Sequence, residues 1–133
     1  MGKILLVDDH PDIVRLLQMS LRGEGHAIFV AHDGEEALEQ LRKEQPDMVF
    51  LDVIMPKLDG FRVLNRIKSD PELRNTVVVM LTVRDQPEDV TLGLDVGAEF
   101  YMTKPFRPDE VVALARRVFL NRERDDLAAG ERK

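Results

Sequence analysis

Five short apolar runs divide the chain, and between them apolar residues recur at every third or fourth position. The runs cover residues 3–7, 27–31, 49–52, 76–81 and 99–103, each of a length and composition that reads as a buried strand. Helical spacing fills the gaps. Pro11 is a natural first helical residue, and Ile13, Leu17 and Leu21 follow as an inward stripe that Gly23 and Gly25 end. Asp33-Gly34-Glu35-Glu36 has the form of a capping box, with Ala37, Leu38 and Leu41 as the stripe behind it. Pro46 marks the next loop, and Asp59 caps a third helix carrying Phe61, Leu64 and Ile67, closed by Ser69-Asp70-Pro71. Pro87 opens a fourth helix with Val90 and Leu94, ended by Gly97, and a fifth over 108–120 turns Val111, Leu114, Ala115 and Val118 inward.

Strand followed by helix, five times over with short connections, predicts an α/β fold: a parallel sheet covered by helices on both faces, with right-handed crossovers. The expected strand order is 2-1-3-4-5, a flavodoxin-like (βα)5 three-layer sandwich. A length of 133 residues suits one domain, placed here at 1–120. Residues 121–133 mix both signs of charge without a clear apolar stripe and read as a helix extension, a linker or a disordered tail.

Composition narrows the function classes. The net charge of -6 argues against direct nucleic-acid binding by this chain, which needs a basic surface. No apolar run approaches the roughly 20 residues of a membrane span. The start, Met1-Gly2-Lys3-Ile4, leads into a strand pattern and not into a secretion signal, so a cytoplasmic location is expected. Without cysteine there are no disulfides, no thiolate catalysis and no cysteine-ligated zinc.

The strand ends carry the chemistry. Asp8-Asp9 follow the first strand, Asp52 closes the third in Leu51-Asp52-Val53-Ile54-Met55-Pro56, Thr82 closes the fourth, and Lys104 lies just past the fifth. Parallel strands finish on one side of the sheet, so these groups converge where ligands of open α/β sheets bind. Crowded carboxylates repel one another, and a bound cation or raised pKa values relieve them. Oxygen donors suit a hard dication such as Mg²⁺, while an ammonium and a hydroxyl hold an incoming anion. Together they describe a phosphoryl site with a carboxylate nucleophile. His10, His26 and His32 read as surface or capping residues and not ligands; His10 lies nearest the pocket, but a hard ion prefers oxygen.

With these motifs in this order the chain resembles the receiver domains of two-component response regulators, over roughly residues 3–120. The resemblance rests on Asp8-Asp9, on Asp52 with Asp59-Gly60 downstream, on Thr82, and on Tyr101-Met102-Thr103-Lys104-Pro105-Phe106. It implies that Asp52 accepts a phosphoryl group from a sensor histidine kinase or phosphotransfer protein. It implies Mg²⁺ ligation by Asp9, Asp52 and the backbone carbonyl of Ile54, with Asp8 acting through metal-bound water. Lys104 would pair with the phosphoryl group, and Thr82 and Tyr101 would be the switch residues, reshaping the surface of the fourth helix, fifth strand and fifth helix. A cis peptide between Lys104 and Pro105 is also implied.

Two departures from the family pattern stand out. Val83 follows the switch threonine where a very small residue is common, and Ile54 and Arg84 occupy positions that line the pocket mouth in the family, which predicts slow exchange with small phosphodonors and slow phosphoryl loss. Phe100 stands where receivers of winged-helix transcription factors often carry an acid used in a dimer. That weakens one symmetric pairing and leaves open a homodimer using Arg116, Arg117 and Asp95. A haloacid-dehalogenase-like phosphatase would need a second acid two residues beyond its nucleophile, where Ile54 stands. A flavin-binding module would need a phosphate loop in place of Asp8-Asp9-His10-Pro11. The remaining alternative is a pseudo-receiver, an interaction module that takes no phosphoryl group. No separate enzymatic activity is expected, and the output domain or protein is not encoded in these motifs.

Overall fold

The computed structural model describes residues 2–53, 59–82 and 97–131, with side chains as far as residue 122. Its elements are β1 (Lys3–Val7), α1 (Pro11–Arg22), β2 (Ala27–Ala31), α2 (Gly34–Glu44), β3 (Met48–Asp52), α3 (Gly60–Ser69), β4 (Val77–Thr82), β5 (Phe100–Thr103) and a last helix, α4 (Pro108–Glu131). The helix expected from Pro87, together with Ile54, Val83, Arg84 and Asp95, lies outside the described residues. All strand pairs are parallel, in the order β2-β1-β3-β4-β5 that the alternation predicts.

Period-two side-chain alternation divides the core between the two faces of the sheet. Leu5, Val7, Val49, Leu51, Val78 and Met80 pack with Ala37, Leu38 and Leu41 of α2 and with Val63, Leu64 and Ile67 of α3. Their neighbours Ile4, Leu6, Phe50, Val79 and Leu81 pack on the other face with Leu17 and Leu21 of α1 and Val111, Ala115 and Val118 of α4. Every residue of the central strand β3 is buried, whereas the edge strands β2 and β5 are partly exposed.

The helix starts obey their caps. Asp33 accepts from the N–H of Glu36 at 2.8 Å, and Asp59 accepts from the N–H of Arg62 at 3.0 Å. The Glu36 carboxylate reaches back to the N–H of His32 (3.2 Å), one residue before the cap. Gly60 has a different constraint: a Cβ there would overlap the carbonyl oxygen of Asp52 and lie 2.9 Å from Cα of Val53. Only a residue without a side chain lets α3 begin directly against the end of β3.

Candidate functional site

Each chemical group at the sheet edge sits at or just beyond a strand end that the backbone ladder still holds. The Asp8 N–H donates to Ala31 O at 3.2 Å, the Val53 N–H to Leu81 O at 3.0 Å, and the Lys104 N–H to Thr82 O at 2.6 Å. The main chain around Asp8, Asp52 and Lys104 is therefore fixed by the sheet, which is how sites on rigid elements acquire their precision.

Their side chains meet. The Lys104 ammonium donates to Asp8 Oδ2 at 2.6 Å and lies 3.5 Å from Asp52 Oδ2. Asp8 is fully buried and Asp52 is 3% exposed, so these charges have little water to screen them. Two acids so placed need a cation, and the pairing of a single ammonium with both supplies one. Asp9 is more open, with 38% of its side chain exposed.

His10, a surface residue as expected and the histidine nearest the pocket, reaches into the cluster. It is the residue before α1 but makes no side-chain cap bond. Its Nδ1 lies 2.8 Å from Asp8 Oδ1 and 3.2 Å from Asp9 Oδ1, and its backbone N–H donates to Asp8 Oδ1 at 2.9 Å. The hydrogen bond to Asp8, reinforced by that acid's charge, raises the His10 pKa above the ordinary imidazole value. The only signal in the sequence was position, directly after two acids and before the helix-opening Pro11.

Ligand atoms of Asp8, Asp9, His10 and Asp52 all lie within 4.8 Å of one another. Three of the four residues offer carboxylate oxygen, the donor set a hard dication takes, so the residues fit Mg²⁺. Thr82 is 6% exposed and stands in register with Thr103 across β4 and β5. Tyr101, in register with Met80, is half-buried against the α2 and α3 face of the core. The peptide between Lys104 and Pro105 is cis.

Comparison with known proteins identifies the company this geometry keeps. The sequence profile of the response regulator receiver domain matches residues 4–116. The alkaline phosphatase synthesis transcriptional regulatory protein PhoP of Bacillus subtilis is 43% identical over 127 residues, which are 96% of this chain and 51% of that protein. The DNA-binding response regulator MtrA of Mycolicibacterium smegmatis is 40% identical over 126 residues, 95% of this chain and 54% of that protein. The chain thus spans about half the length of the curated relatives it matches. Among solved structures, the chemotaxis response regulator CheY4 of Vibrio cholerae superimposes with a TM-score of 0.83 at 33% identity, covering 89% of this chain and 98% of that one. The BeF3-activated DrrB receiver domain gives 0.81 at 32% identity, covering 90% and 97%.

Proposed function

This chain belongs to the response regulator receiver domain family, whose members work in phosphorelay signal transduction, and from that premise we propose that Asp52 is its phosphoryl acceptor. The single observation that carries the reading is the Lys104 ammonium, 2.6 Å from Asp8 and 3.5 Å from Asp52. A phosphohistidine of a sensor kinase or phosphotransfer protein is the donor. The N–P bond breaks as an Asp52 oxygen bonds to phosphorus, and the donor's histidine leaves neutral after taking up a proton. Hydrolysis returns the carboxylate when water attacks phosphorus and inorganic phosphate leaves.

Asp8 already spends both oxygens, one on Lys104 and one on His10. By the family resemblance Asp9 and Asp52, with the backbone carbonyl of Ile54, would hold Mg²⁺ and Asp8 would act through water, a division that the engagement of both Asp8 oxygens supports. When bound, Mg²⁺ neutralises charge on the phosphoryl oxygens during transfer. Lys104 pairs with one of those oxygens and Thr82 donates its hydroxyl to another. The new charge of about -2 draws Thr82 towards Asp52 and vacates space that Tyr101 enters, which is a shift of population between two packings. The changed surface then engages an output domain or protein. The receiver unit is residues 1–120, acting as a cytoplasmic signalling module without a separate enzymatic activity.

Incubation with Mg²⁺ and a phosphorylated donor is expected to give one base-labile phosphoryl adduct that the Asp52→Asn variant lacks, read by mass spectrometry. No adduct on the parent would overturn the reading. Beryllofluoride with Mg²⁺ is expected to shift the NMR signals of Thr82 and Tyr101, and silence there would favour the pseudo-receiver.

A further inference from the structure

His10 enters that phosphorelay reading only as a partner of Asp8, yet among the described residues it is the one imidazole donor in an otherwise carboxylate cluster. We propose that His10 supplies an imidazole ligand to the dication site, so that this chain binds borderline transition ions such as Zn²⁺ and Co²⁺ more tightly than Mg²⁺. The inference rests on the acidic pocket holding a dication at all, and goes beyond it in naming a ligand and the class of ion that ligand selects.

The geometry supports it at three points. Nδ1 of His10 lies 2.8 and 3.2 Å from oxygens of Asp8 and Asp9, and a ring nitrogen of His10 lies within 4.8 Å of the Asp52 ligand oxygen. The backbone is held on both sides of the ring, by the N–H bonded to Asp8 Oδ1 at 2.9 Å and by the carbonyl that accepts from the Val14 N–H at 3.1 Å. To turn from the two acids towards an ion between them, the imidazole rotates about its side-chain bonds and gives up any proton that Nδ1 shares with Asp8. The side chain is 63% exposed, which leaves room for that rotation. Affinity for mixed nitrogen and oxygen sites rises along the first-row dications towards copper and remains high at zinc, whereas imidazole adds little for Mg²⁺.

A rival role uses the same distances: His10 as a counter-charge to Asp8 and Asp9, which a metal must displace. The two roles predict opposite signs. Titrations of the full chain with Zn²⁺, Co²⁺ and Mg²⁺, followed by calorimetry and by the ¹⁵N signals of the His10 ring, separate them. As a ligand, His10 shifts its ring nitrogen signal with Zn²⁺ and not with Mg²⁺. The His10→Ala variant then loses at least about tenfold in Zn²⁺ and Co²⁺ affinity, the scale on which the surroundings of a metal act, while its Mg²⁺ affinity holds or rises. His10→Gln, which keeps a polar side chain, shows the same loss. Unchanged or tighter Zn²⁺ binding in His10→Ala, or Zn²⁺ no tighter than Mg²⁺ in the parent, overturns the proposal. If Mg²⁺ itself fails to perturb Asp52 in the parent, the phosphorelay pocket falls with it. Mg²⁺ binding at Asp52 with a His10 ring signal that stays silent under Zn²⁺ sinks the inference alone.

Discussion

Gly60 follows the cap residue of α3, and the space it leaves empty is where the helix and the end of β3 touch. Substitution by alanine drives a methyl into the Asp52 carbonyl, and overpacking of this kind costs about 1–3 kcal/mol. Gly60→Ala is therefore expected to lower the urea midpoint and to broaden or shift the Asp52 amide signal, whereas Gly23→Ala, with nothing near its Cβ position, should do neither. The importance of Asp59-Gly60 was legible from the family motif, but its reason was not, because it depends on how closely two elements approach. His26 presents a second local effect. Its Nδ1 accepts from the Gly2 N–H at 3.3 Å and its ring stacks on Phe119 with centroids 4.4 Å apart. Burial holds its pKa below 6.5 in spite of Glu24 and Asp47. The unfolded chain then takes up the proton first, so the contribution to stability is complete above pH 6.5 and is lost as pH falls below that value. Urea midpoints measured across that window should fall for the parent and fall less for His26→Phe, which keeps a ring against Phe119 without a titrating nitrogen.

At the scale of elements, spacing located every described helix and strand, and local hydrogen bonding explains where two strand starts differ. The fifth strand was expected from Glu99 but begins at Phe100. The Glu99 N–H still donates to Val78 O at 3.1 Å, but the Val78 N–H goes to the Glu99 carboxylate at 2.7 Å, which also pairs with Lys68 at 2.6 Å. The fourth strand begins at Val77, since the Thr76 N–H is turned back to Leu73 O at 2.9 Å and its hydroxyl to Pro46 O at 3.0 Å. In α1 and α3 the buried stripes include Val14 and Val63, with the expected Ile13 and Phe61 only partly covered. An apolar stripe is wide enough that periodicity alone does not choose which of two adjacent residues lies deepest. Beyond residue 120, α4 continues to Glu131, and Arg122 ties it down. Its guanidinium bonds Asn75 O and reaches Asp47 Oδ1 at 3.4 Å, the same acid whose other oxygen takes the Lys3 N–H at 2.9 Å. Arg122→Ala is expected to speed amide exchange in the last turns of α4, while β1 and β3 keep their protection. Equal exchange in both proteins would mean that packing by Val118 and Phe119 already suffices.

For the whole molecule, topology and the meeting of Asp8, Asp9, Asp52 and Lys104 were legible, because parallel strands must deliver their ends to one edge. Which acid the ammonium touches, and the contacts of His10 with Asp8 and Asp9, were not, since side-chain geometry is no part of periodicity. Assembly was open in the same way. Arg116 grips Glu24 through two hydrogen bonds of 2.6 and 3.1 Å, and Arg117 lies 5.7 Å over the Phe100 ring. Both cations available for a symmetric pairing are thus engaged within the chain. Sedimentation at micromolar concentration should find a monomer with and without beryllofluoride, and a dimer that high salt dissolves would show that these contacts re-form between copies. The partners Lys104 and Asp8 stand 96 residues apart, one beyond the last strand and one beyond the first. A nascent polypeptide emerging from the ribosome therefore carries Asp8, Asp9 and Asp52 long before their amine. The buried charge of Asp8 gains its ammonium only after the edge strand has docked, so the pocket is among the last parts of the molecule to be completed.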